Sequence, residues 1–227
     1  MHKLIIDNKN ISDIAILTNI DYPLFSYENI YVNRANNVEF YKKRKENSRL
    51  ISLTILLNNN CIDVIEIQSN LENLIETRFK TEAPIWINLN DRYFYGILES
   101  VNQDKIFQGV ITLTYRDLLG NFYSQEKEKD VTNSFAVNAE TVKDSNLIRF
   151  ELRPMQKKVT IKVNSDSLSI DTENNNLMIV DYLRKTIKQN NIHVKRNLES
   201  KFGVLKKNNT IQVINAVGKM YYREVLA

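Results

Sequence analysis

The chain has 227 residues, of which 43% are hydrophobic and 26% charged, with a formal net charge of +4 and a pI near 8.9. That length suffices for one large or two small domains, and the balance of apolar to charged residues excludes wholesale disorder. One cysteine, Cys61, excludes an intramolecular disulfide and a thiolate metal cluster, and no run approaches the roughly 18–20 apolar residues of a membrane span.

The N-terminal apolar run is too short for a signal peptide, so a soluble chain made in a cytoplasm is expected. Short strand-like runs follow at residues 3–6, 14–18 and 30–32. Residues 34–49 are polar and basic and read as an exposed loop or hairpin tip. Lys42, Lys43, Arg44, Lys45 and Arg49 concentrate the positive charge there. Nucleic-acid binding would need a basic face with interleaved aromatics. The cluster reads instead as a solvated loop or a docking loop for an acidic protein surface. Residues 50–57 form an apolar strand, and the asparagines at 58–60 end it.

Ser69 and Glu72 match the S-x-x-E capping box, in which serine and glutamate satisfy free backbone donors at a helix start. Leu71, Leu74, Ile75 and Phe79 then fall on one helical face, and Pro84 forbids continuation. The spacing predicts an amphipathic helix over residues 70–80 that covers a sheet. A hairpin follows at residues 85–98. Ile85, Ile87 and Leu89 share one face, the only tryptophan, Trp86, lies on the other, and Asn88, Asn90 and Asp91 supply the turn.

Residues 110–115 alternate with period two, with Val110, Thr112 and Thr114 opposite Ile111, Leu113 and Tyr115. That is the pattern of a half-buried antiparallel strand. Residues 124–134 are charged and poor in apolar side chains, which marks a domain boundary, drawn between residues 132 and 133. Beyond it, strand-like runs recur at 147–152, 159–163, 168–170, 177–180, 186–187, 192–194 and 210–213. Regular short strands with turn punctuation indicate a β-sandwich or barrel. With only five glycines, the turn work falls to asparagine, at 58–60, 174–176, 190–191 and 208–209. The fold class is mainly β with one helix.

Catalytic chemistry is absent from this pattern. His2 and His193 lie near opposite ends, no nucleophile elbow exists, and five scattered glycines cannot cradle a phosphate. Asp91 and Glu99 flank the aromatic hairpin as a conceivable carboxylate pair, but a turn aspartate and a solvent-facing strand residue explain them. No cofactor, metal or catalytic residue is expected. Tyr93, Phe94 and Tyr95 could stack on a sugar or base. Core on one face and subunit interface on the other is the preferred reading.

In the first half, four motifs come in order: the capped helix, Pro84 through Asn88, the run Asp91, Arg92, Tyr93, Phe94 and Tyr95, and the strand from Val110 to Tyr115 with Arg116 and Asp117. This half resembles the N-terminal domain of the distal tail (Dit) proteins of long-tailed bacteriophages. Residues 176–180, 190–191, 198–200, 202, 205, 207–209 and 211, with the closing Tyr221 and Tyr222, resemble that family's galectin-like β-sandwich.

The resemblance implies an N-terminal ring-forming domain over residues 1–132 and a galectin-like sandwich over 133–227. It implies a homohexameric ring at the virion tail tip, assembled in the host cytoplasm, around a channel that DNA can traverse without specific binding. The implied partners are the tail tube or major tail protein, the tail-associated hub protein, and receptor-binding or baseplate proteins. On that view Trp86, Arg92, Tyr93 and Tyr95 belong to a subunit interface, and Lys42, Lys43, Arg44 and Lys45 to a docking loop. The galectin sugar-binding set is missing, because His193 lacks its partners and Trp86 lies in the other half. The alternative is a carbohydrate-binding adhesion module of a tail or cell surface.

Overall fold

The computed structural model describes residues 4–6, 9–10, 15–22, 27–33, 39–46, 49–57, 69, 72–73, 76, 83–105, 108–173, 175–197 and 199–226. The chain divides into two compact units, Met1–Phe122 and Tyr123–Ala227.

The first unit contains β1 (Leu4–Ile6), β2 (Lys9–Asn10), β3 (Ala15–Asp21), β4 (Tyr27–Asn33), β5 (Glu39–Glu46), β6 (Arg49–Leu57), β7 (Ile85–Leu89), β8 (Arg92–Asn102) and β9 (Val110–Asp117). Seven of these make one antiparallel sheet in the order β2-β1-β7-β8-β9-β6-β3. β4 and β5 pair separately as a two-stranded ribbon. The alternation seen in the sequence sets the two faces of the sheet. Leu4, Ile6, Ile51, Leu53, Ile55, Ile87, Leu89, Phe94, Ile111, Leu113 and Tyr115 point to one side and are buried. Each such aliphatic or aromatic side chain contributes about 1.5–3 kcal/mol on burial.

The second unit contains β10 (Lys127–Val131), β11 (Ser134–Asn138), β12 (Ile148–Pro154), β13 (Lys158–Val163), β14 (Asp166–Asp171), β15 (Met178–Asp181), β16 (Thr186–Gln189), β17 (Ile192–His193), β18 (Asn208–Ile214) and β19 (Ala216–Tyr222). They form a six-stranded sheet, β10-β19-β12-β15-β16-β17, and a four-stranded sheet, β11-β18-β13-β14. One core joins the two: Phe150, Leu152, Met178, Val180 and Met220 from the first sheet meet Val159, Ile161, Val163, Leu168, Ile170, Ile211 and Val213 from the second. This is the expected β-sandwich, with Val159, Ile161 and Val163 inward as their spacing requires.

Several expectations change on the structure. The charged segment at 124–134 is mostly an edge strand of the sandwich. β10 pairs along its length with β19, and its charges are matched: Lys127 donates to Glu224 at 2.7 Å, Lys219 pairs with Glu128, and Lys129 donates to the Ala136 carbonyl at 2.6 Å. Edge strands tolerate such charge because one side of the strand stays unpaired in the sheet. The basic segment read as a loop is also a strand: Lys42, Lys43, Arg44 and Lys45 lie within β5, opposite β4. Asn208 and Asn209 open β18 instead of forming a turn. The buried Asn209 side chain accepts from Lys206 N at 2.7 Å and donates to the Val137 carbonyl at 3.0 Å, doing the work of a backbone unit. The helix expected over 70–80 falls almost wholly outside the described residues, as do His2 and Cys61.

Asparagine does carry the tight turns. Asn90, Asn164, Asn175, Asn190, Asn191 and Asn215 all have positive φ, a conformation that asparagine tolerates better than most residues.

Tyr115 and Tyr182 are among the largest fully buried side chains, and neither hydroxyl has a hydrogen-bond partner among the described residues. Burial pushes both phenols well above the ordinary tyrosine range. The folded protein therefore holds these protons when the unfolded chain would release them. Stability is fully present below about pH 10 and falls above it by about 1.4 kcal/mol per pH unit for each tyrosine. Ultraviolet titration should find that two of the eleven tyrosines ionise only as the circular dichroism collapses. Smooth ionisation of all eleven with structure retained would contradict this burial.

Candidate functional site

The face of the seven-stranded sheet opposite its core is half-exposed apart from the buried Asn88. It is built from the alternate positions: Ile5 on β1, Trp86 and Asn88 on β7, Tyr93, Tyr95 and Ile97 on β8, Thr112, Thr114 and Arg116 on β9, and Ser52 and Thr54 on β6. The β7–β8 hairpin sets its aromatic end. Asn90 and Asp91 both take positive φ in the two-residue turn, and Asp91 N donates to the Asn88 side chain at 2.8 Å. Such a turn matches the twist of the flanking strands and fixes their register. The register places Trp86 opposite Tyr95 and Asn88 opposite Tyr93. The Trp86 and Tyr95 rings lie 5.1 Å apart at 45°. Phe94, the aromatic between the two tyrosines, points the other way and contacts Tyr115 and Phe122 in the core.

The middle of the face is hydroxyl-rich. Ser52 and Thr114 lie 3.2 Å apart, and Thr54 and Thr112 lie 3.3 Å apart, as cross-strand pairs. At its edge, Arg116 pairs with Glu99, whose carboxyl is held below the usual carboxylate range by the guanidinium hydrogen bond. Glu99 sits at the β8 bulge opposite β9. With Asp91 in the turn and Glu99 bound to arginine, these carboxylates do not form a hydrolytic pair. Among the described residues no three His, Cys, Asp or Glu side chains come together as a metal site.

Trp86, Tyr93 and Tyr95 thus share one face, and exposed Arg92 starts the same strand as the tyrosines. Lys42, Lys43, Arg44 and Lys45 lie on the separate ribbon. Arg49, grouped with them by sequence, has a different role. It is buried, donating to Asp117 through Nε at 3.1 Å and Nη2 at 2.8 Å, with its guanidinium 5.0 Å from the Phe122 ring. The other Asp117 oxygen accepts from Leu119 N at 3.1 Å and Gly120 N at 3.0 Å. Sequence reading missed this pair. The available signal was Asp117 followed by a glycine three residues on, a side-chain-closed turn at a strand end.

No protein-family model and no curated protein matches the chain. Solved structures do. The SPP1 Dit protein (gp 19.1), described as a paradigm of the hub adsorption apparatus of phages infecting Gram-positive hosts, superposes with a TM-score of 0.69, covering 100% of both chains at 14% identity. The chain has the Dit fold. A component of the phage P2 baseplate in its calcium-activated conformation matches with a TM-score of 0.62 at 9% identity, over 100% of this chain and 98% of the other. The strontium-activated p2 baseplate gives 0.60 at 9% identity, over 98% and 97%. The Dit fold accounts for a one-faced sheet followed by a sandwich, an order that composition alone does not require.

Proposed function

We propose that this protein is a structural component of a phage tail tip or baseplate, the distal tail protein that joins the tail tube to the adsorption apparatus. The observation that carries the reading is the end-to-end likeness to the SPP1 Dit protein, spanning both units in chain order. In this reading the first unit, Met1–Phe122, builds a homohexameric ring. The second unit, Tyr123–Ala227, read as a galectin-like sandwich, holds receptor-binding or baseplate proteins. Tube and hub proteins meet the two ring faces, and Lys42, Lys43, Arg44 and Lys45 dock one of these neighbours. The protein acts by assembly and performs no catalysis.

The half-exposed aromatic end of the sheet supports a subunit interface. Large aromatic side chains with a polar surround are what interface cores use, and Trp86, Tyr93 and Tyr95 sit beside a hydroxyl-lined strip on one rigid face. Mass photometry of the wild type should give six subunits. The Trp86→Ala/Tyr95→Ala variant should lose the ring while keeping its far-ultraviolet circular dichroism. A strict monomer at every concentration and with every tail neighbour would sink the reading, and an intact ring from the double variant would move the interface elsewhere.

A further inference from the structure

The sandwich of the second unit has two ends. The chain enters at one, where Tyr123 bridges to Val225 and β10 begins opposite Tyr222. At the other, β12 ends, β15 and β19 begin, and three large apolar side chains stand in solvent: Met155 is 52% exposed, Leu177 46% and Val217 47%. Val217 pairs with Arg153 across β19 and β12, and Leu177 directly precedes Met178, the partner of Leu152. Leu177, Arg153 and Val217 therefore form a row across three neighbouring strands, on the outer side of the sheet. Met155 follows at the tip of β12, its N–H bonded to the Asn215 carbonyl at 2.7 Å.

This end is stiff. Thr172 N donates to the Lys157 carbonyl at 2.8 Å, Asn175 N to the Pro154 carbonyl at 2.9 Å, and the Asn215 side chain to the Lys158 carbonyl at 2.9 Å. The buried Gln189 side chain holds the neighbouring loop, accepting from Glu173 N at 3.0 Å and donating to the Glu173 and Asn176 carbonyls at 2.7 and 3.1 Å. An apolar surface fixed before binding loses little entropy when it is covered.

The exposed charges around it are mostly positive. Arg153, Lys157 and Lys158 are exposed and have no ion pair among the described residues. The nearby acids are Asp171, opposite Lys158 across β13 and β14, and Glu173, which takes the Asn176 amide at 3.1 Å. Elsewhere on the same sheet several cations are matched, as in Arg149 with Glu126 and Glu151, and Lys219 with Glu128.

We propose that this end of the sandwich, centred on Met155, Leu177 and Val217 and rimmed by Arg153, Lys157 and Lys158, docks an acidic, apolar-faced segment of another protein. A second copy of this chain is the poorer occupant, since a self-complementary contact here would bring unpaired cations against their own kind. A polyanionic glycopolymer would use the cations and leave the apolar row wet. The proposal rests on the reading of the second unit as the partner-holding half.

The probe is a short fluorescent peptide of alternating leucine and glutamate, with a leucine–lysine peptide and polyglutamate as comparisons, titrated against the full chain by anisotropy. The leucine–glutamate peptide should saturate and bind about tenfold tighter than either comparison. Leu177→Ser and Arg153→Glu should each weaken it about tenfold, with Met155→Ser as a second apolar variant. No saturable binding would overturn the proposal. Equal binding of polyglutamate with Leu177→Ser silent would turn the surface into a polyanion site. A changed subunit count in Leu177→Ser would make it a contact between copies. Mass photometry of the same samples keeps the two readings apart: peptide binding without a ring fails only the ring, and a ring without peptide binding fails only this surface.

Discussion

Replacing Arg49 with alanine should destabilise the first unit by about 3–5 kcal/mol, the usual loss when one partner of a buried ion pair is removed. Asp117 is fully buried, and both its carboxylate oxygens are in use, one on Arg49 and the other on the Leu119 and Gly120 N–H groups. Without the guanidinium a carboxylate remains in an apolar setting beside Phe122, and the cost of desolvating it is no longer offset. The double variant Arg49→Met/Asp117→Asn tests the cause. The amide oxygen of asparagine can still accept from Leu119 and Gly120, and no charge remains to be buried. Urea denaturation should therefore show the double variant more stable than Arg49→Ala. If Arg49→Ala shifts stability by less than about 1 kcal/mol, the magnitude expected of an exposed pair, the buried description of this pair is wrong.

Gly218→Ala should be about as damaging in the sandwich. Gly218 lies within β19, paired to Val131 on one side and Leu152 on the other, with φ at 153°. A Cβ there would stand 2.0 Å from the Glu151 carbonyl oxygen and 3.0 Å from Leu152 Cα. Both are backbone atoms of a central strand, so relief requires parting β19 from β12. A loss of order 3–5 kcal/mol is expected, in the class of strain at a special backbone position. Gly120→Ala is the control. It also has positive φ, but nothing lies within 4 Å of its added Cβ, so only the backbone cost of about 1–2 kcal/mol applies. Equal denaturation midpoints for the two variants would refute the close approach at Gly218.

Of the two proposed surfaces, the aromatic one has a geometry that could be read directly from the sequence. Period-two alternation puts Trp86 and Tyr95 on the face opposite Ile87 and Phe94, and the Asn-Asp turn fixes the register that makes the rings neighbours. Local chemistry suffices there because the residues that meet are joined by two turn residues. The Arg49–Asp117 pair spans 68 residues of chain, and nothing local distinguishes a buried arginine from the other cations just before it in the sequence. The same limit hid the edge-strand role of residues 127–131. Charge composition reads as a linker, while pairing with β19, far along the chain, decides that it is a strand.

By itself, then, the sequence determined the β class, most strand positions, the asparagine turns at Asn90, Asn175, Asn190 and Asn191, and the two faces of the hairpin. All of these follow from periodicity and turn chemistry within a few residues. The tertiary structure decided which strands lie side by side, which of the basic residues is buried, and which apolar side chains are left uncovered at the far end of the sandwich. Those are outcomes of long-range pairing. Met155, Leu177 and Val217 are unremarkable hydrophobics in the sequence, and only the ending of β12 beside the starts of β15 and β19 brings them together in solvent.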